Sequence, residues 1–94
     1  MLQTTGRTLS LFVAFVNSAR AIRGAEVDFH KQADVDRHIS KIDKCLKELP
    51  DWANWFPDRG AMQSIGDMLM YERKYALKKA HDARTADKAK EHVA

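Results

Sequence analysis

His30, Asp34 and His38 follow one another at four-residue intervals, and their types could hold a metal ion. On one unbroken helix they would share a face, as imidazole and carboxylate groups do when they ligate zinc. A structural zinc site wants four ligands, and no fourth is specified. Asp34 is also the best helix cap in this region, and a cap cannot sit in mid-helix. No metal and no cofactor are expected. Cys45 has Lys41, Lys44 and Lys47 close by in sequence, and neighbouring cations can lower a thiol pKa enough to make a nucleophile. There is no Cys-x-x-Cys and no Cys/His pair spaced as nucleophile and base, so Cys45 reads as a small core hydrophobe. Gly6, Gly24, Gly60 and Gly66 are isolated and cannot form a phosphate-cradling loop, and no serine stands in Gly-x-Ser-x-Gly. The carboxylate pairs Glu26/Asp28 and Asp34/Asp36 have nothing around them that marks a pocket. No catalytic residue is expected, and the chain reads as a non-enzyme.

Two groups of side chains are better suited to binding than to catalysis. Trp52, Trp55 and Phe56 put three large rings within five residues, between Pro50 and Pro57. Part of this cluster should close the corner between two helices, and part should remain for a partner, because tryptophan is rarely fully buried and is enriched among binding hot spots. The second group is basic. Residues 73–94 carry seven cations against three anions, a net +4, whereas residues 1–72 carry nine against ten. At 100° per residue Lys74, Lys78, His81, Thr85, Lys88 and His92 fall within about 80° of arc. Such a stripe can lie along phosphates or an acidic protein surface, or simply keep a helix solvated. Arginine is sparse on this face, so base-specific reading is not supported. Met70 lies off the apolar stripe of its helix and suits an adaptable contact surface. The expected partner-binding residues are therefore Trp52, Trp55, Phe56, Met70, Lys74, Lys78 and Lys88.

The elements that must position these groups are helices. From Thr5 to Gly24, Leu9, Phe12, Val13, Val16 and Ala19 form one apolar stripe, with Leu11, Phe15 and Ile22 beside it. Thr5 or Thr8 could cap the start, and Gly24 suits a left-handed end. So wide an apolar face makes this helix either central to the fold or a surface for a second copy. Residues 25–33 read as a connection whose Phe29 tucks onto the core. The second helix is expected over 34–49, with Val35, Ile39, Ile42, Leu46 and Leu49 in a and d positions and Asp43/Lys47 as a favourable i,i+4 pair. Pro50 should stop it. After the aromatic corner at 50–60, a third helix should run over 61–90 with Met62, Ile65, Leu69 and Ala76 inward. Beyond Leu77 its Ala/Lys/Asp/Arg sequence favours helix but gives it nothing to pack with, as in a solvent-exposed extension or a frayed tail that orders on a partner. The expected fold is a single all-α domain over residues 1–94, helix one against a helix two/helix three hairpin with a long basic C-terminal extension. A helix-turn-helix across Lys47–Tyr75 is disfavoured, since two prolines and an aromatic cluster replace the short glycine turn.

At 94 residues a second core is excluded, and one cysteine cannot form an internal disulfide. The apolar run Leu9–Val16 is too short to span a membrane, and Arg20 interrupts the small-residue motif that a leader would need, so the expected location is cytoplasmic. The functional expectation is an interaction protein that binds and modulates a larger partner. A nucleic-acid-processing complex is the favoured class, because accessory inhibitors from phages and plasmids often have this size and composition. The alternative is a small nucleic-acid-binding module acting through residues 73–90, dimeric through helix one.

Overall fold

The computed structural model describes the backbone of residues 6–93 and the side chains of residues 6–89. Three helices, α1 (Gly6–Arg23), α2 (Gln32–Trp55) and α3 (Arg59–Val93), make up the fold, with no strand among the described residues. The long α2 and α3 pair as an antiparallel hairpin, and the shorter α1 lies against the half of it nearest the turn. Phe15, Ala19 and Ile22 of α1 meet Ile42 and Cys45 of α2 and Leu69 of α3 in one buried cluster. The small all-α domain expected from helical periodicity is what forms.

Several boundaries differ from the expected ones. Thr8 lies inside α1 rather than capping it, and Thr5 is outside the described residues. No described glycine has a positive φ, so α1 does not end on a left-handed Gly24. Its last turn closes instead through the Ala25 N–H, which donates to the Ile22 carbonyl at 3.3 Å. At the next helix Asp34 is not the cap. Lys31 occupies that position without a side-chain bond, and Asp34 in the first turn accepts from Arg37 Nη1 at 3.2 Å. The earlier start follows from the preceding turn, in which Asp28 Oδ1 accepts the His30 N–H and the Asp28 carbonyl accepts the Lys31 N–H.

Pro50 does not stop α2, which continues through it to Trp55. Proline in a helix interior costs about 3 kcal/mol by removing one hydrogen bond and crowding the preceding turn. The six residues gained carry Trp52 and Trp55 onto α1, and burial of two indoles against apolar partners offsets a cost of that size. Only Phe56, Pro57 and Asp58 then link α2 to α3. Asp58 caps α3, its Oδ1 accepting the Ala61 N–H at 3.0 Å.

The buried arc of α2 is wider than its a/d stripe. Val35 and Ile42 are buried and Ile39, Leu46 and Leu49 half-buried, but His38 and Cys45 are buried too, because α1 covers α2 on that flank. Along α3, Met62, Gly66 and Leu69 are buried beside α1 and α2; past Leu69 every buried position of the described side chains is alanine: Ala76, Ala80 and Ala83. The basic stretch therefore has something to pack with after all. Arg84 Nη1 donates to Gln32 Oε1 at 3.3 Å, and His30 Nδ1 lies 3.2 Å from Asp87, so α3 is held along the full length of α2. Phe29 meets α3 rather than the central cluster, edge-on to Tyr75 at 6.4 Å. Asp43 is not paired along its own helix with Lys47 but crosses to Arg73 Nε at 2.8 Å. The result is a rod with extents of 62 × 22 × 19 Å.

Candidate interaction surfaces

The aromatic corner is organised by Phe12, which the sequence placed on a stripe but not at a hub. Its ring stacks on Phe56 at 4.8 Å and meets Trp55 at 5.1 Å and Trp52 at 5.5 Å, while the two indoles pack edge to face at 5.6 Å. Trp52 also reaches Phe15 at 6.1 Å. Helical spacing explains the convergence: extending α2 puts Trp52, Trp55 and Phe56 on adjacent turns facing the start of α1. All three rings are half-buried, so each has an inner edge in the cluster and an outer edge at the surface.

The outward face of α3 is a second surface. Met70 is 63% exposed and Tyr71 65%, with Tyr75 and Leu77 also exposed. Lys74, Lys78, His81, Thr85 and Lys88 are all exposed on the same side; the side chain of His92 lies outside the described residues. Tyr71 and Tyr75 stack at 6.2 Å with their planes 18° apart, and Lys79 Nζ stands 5.5 Å over the Tyr75 ring. The expected binding residues include Met70 and the lysines but not Tyr71 or Leu77. A signal was present for Tyr71, which falls opposite the Met62–Leu69 stripe at 100° per residue, whereas Leu77 lies on the flank of that stripe, where periodicity does not decide exposure. Trp52, Trp55 and Phe56 sit near the turn of the hairpin, whereas Lys88 belongs to its far end, so the seven expected binding residues do not form one patch.

The third surface is a groove of about 560 Å³ between α1 and α2. Its α1 wall carries Ala14, Ser18 and Ala21, residues too small to fill the seam, and it runs from Ala25 at one end to Trp52 at the other. Cys45 and His38 form part of its floor, and Lys41, Lys44 and Glu48 stand along the α2 side. Burial pushes the Cys45 thiol above its usual range, with Glu48 adding to the effect and Lys44 opposing it. The nearby lysines therefore do not activate it. Burial likewise lowers the pKa of His38, against the pull of Glu72 and with the help of Lys41.

His30, Asp34 and His38 do not come together. His30 pairs with Asp87, Asp34 with Arg37, and His38 is buried against the groove. Among the described residues no group of three or more His, Cys, Asp or Glu side chains could hold a metal ion. No helix among them is long and apolar enough to cross a membrane. The α1 residues Leu9, Leu11 and Val13 are each about half exposed, at 50%, 54% and 48%. No family model, curated protein or solved structure matches the chain.

Proposed function

We propose that this chain is a non-enzymatic interaction protein that binds a larger protein partner through the outward face of α3. The observation that carries the reading is the exposure of Met70 and Tyr71 beside Lys74 and Lys78. Large apolar side chains flanked by cations suit a contact in which the apolar groups supply affinity and the lysines steer toward an acidic surface. The partner class favoured is a nucleic-acid-processing complex, modulated or inhibited by occupancy of an acidic face. The outer edges of Trp52, Trp55 and Phe56 would add a second contact near the turn. Because those rings also hold α1 in place, their substitution confounds binding with folding, and the exposed α3 residues give the cleaner test.

Capture of partners from a cell lysate, with and without nuclease treatment, tests the reading. Expected is a protein captured equally under both conditions, lost on Met70→Ala or Tyr71→Ala, and weakened less by Lys74→Ala, Lys78→Ala and Lys88→Ala together. The stacked Tyr71/Tyr75 pair with Lys79 over it favours one alternative, a nucleic-acid-binding module, since stacked rings among cations can take unpaired bases. In that case nuclease abolishes capture, the triple lysine variant loses binding, and affinity falls steeply with salt. The half-exposed Leu9, Leu11 and Val13 support self-association through α1, which light scattering reads directly.

A further inference from the structure

The groove between α1 and α2 is independent of the α3 face and is built unlike an ordinary seam between helices. His38 is only 7% exposed, and its ring makes no hydrogen bond among the described residues. No side-chain nitrogen or oxygen among those residues is both sealed and unpartnered, so the ring nitrogens keep some accessible surface, and His38 is one of the residues that line the groove. An imidazole that has given up most of its water without a protein hydrogen bond costs free energy unless something in the groove bonds to it, although Glu72 acts on this one electrostatically. The rest of the floor is apolar: Phe15, Ile22 and Cys45, with Leu11 and Trp52 toward the other end. Lys41 and Lys44 outnumber Glu48 on the α2 side. A volume of about 560 Å³ is within the range of small-molecule sites, which combine an apolar lining with a few placed polar groups.

We propose that this groove binds an amphipathic carboxylic acid, its aliphatic chain lying along Phe15 toward Leu11 and Trp52 and its carboxylate held by Lys41 and the His38 ring. The polarity of the groove sets the orientation. His38 and Lys41 are one turn apart at the end near Ala25, and Trp52 lines the opposite end about 21 Å along α2 from His38. Among the groove-lining residues the excess positive charge on the α2 side favours an anion over a cation of the same shape, with Lys41 set against Glu72 of α3 at the His38 end, and the small α1 wall leaves room for a chain one methylene wide.

Calorimetric titration with dodecanoate, dodecanol and dodecyltrimethylammonium, each below its micelle concentration, tests the assignment. Dodecanoate should bind at one saturable site, with dodecanol weaker by roughly tenfold or more and the cation weaker still. Lys41→Glu should weaken dodecanoate roughly tenfold and leave dodecanol unchanged, while Ser18→Trp should fill the groove and remove both. Lys41 and Ser18 are exposed, so both variants should keep the wild-type melting temperature. Met70→Ala and Tyr71→Ala should not alter dodecanoate binding, which keeps this result separate from the partner test. The assignment is overturned if no saturable binding occurs, if dodecanol binds as well as dodecanoate, or if binding survives Ser18→Trp. It is also overturned if Ser18→Trp instead abolishes a concentration-dependent dimer, which would give the groove to a second copy.

Discussion

A methyl group on Gly66 would lie 2.9 Å from Leu49 Cδ2, so here α2 and α3 approach too closely for anything larger than a methyl. Gly66→Ala gains helix propensity of about 0.5–1 kcal/mol and displaces only a leucine tip, and its stability should stay within about 1 kcal/mol of wild type. Gly66→Leu has no such escape and should lose about 1–3 kcal/mol in urea unfolding. None of this was legible in the sequence, where Gly66 was one of four isolated glycines; close approach is a property of two helices and not of one. Cys45 was legible, because a thiol on the shoulder of an apolar stripe becomes buried whichever neighbour covers it. His38 has a consequence for pH. Burial lowers its pKa below the ordinary 6.5, so the unfolded chain takes up a proton that the folded chain refuses. Stability is full above 6.5 and falls as the pH drops from there toward the lowered folded value. The melting temperature should therefore be lower at pH 5.5 than at pH 7.5, and His38→Leu should flatten that difference. An unchanged slope in the variant would remove His38 as its cause.

Among the elements, α2 shows where local rules give way. Its a/d pattern located the helix and its buried side, but the cap and the proline misled at both ends. At the start, the turn built on Asp28 had already begun the helix before Asp34 was reached. At the end, the residue that should terminate the helix is overridden by the rings that follow it. Pro50→Ala restores the missing N–H and relieves the crowded turn, and should raise stability by about 1–3 kcal/mol without altering the helical circular dichroism. If the variant is less stable, proline is needed for the path of the chain and is no burden on it. Phe12→Ala should remove the centre of the cluster and cost about 3–5 kcal/mol, seen in the melting temperature together with a red shift of tryptophan emission. The loss should exceed that of Leu9→Ala, since Leu9 is half exposed on the same helix. Sequence alone ranked these two side chains together on one stripe, because a stripe gives direction and not depth.

For the whole molecule, the class of fold was legible from three periodic segments and two short connections, and so was the exposure of the lysine stripe. The layering was not: nothing in the pattern of α1 said that it would cover one half of the hairpin and leave the other to α3 and α2 alone. The groove was not legible for the same reason, since small residues on one helix become a cavity wall only when a second helix stands opposite. Near the turn the rod is three helices thick and packed with Phe, Trp, Ile and Leu, but toward Ala83 it is two helices in contact through alanines, Val35, the Phe29–Tyr75 ring contact and a few polar links. Alanine buries little surface, so separation of the far end exposes far less apolar area than separation of the near end. The two ends should therefore breathe at different rates. In native-state hydrogen–deuterium exchange, amides around Ile42 and Leu69 should exchange only through global unfolding, while those from Ala76 to Asp87 should escape earlier, through a partial opening that peels α3 from α2 and is favoured at least tenfold over complete unfolding. Denaturant would merge the two classes only near the midpoint. Uniform protection along α3 would mean instead that the links at His30–Asp87 and Gln32–Arg84 clamp the far end as firmly as the aromatic cluster does the near one.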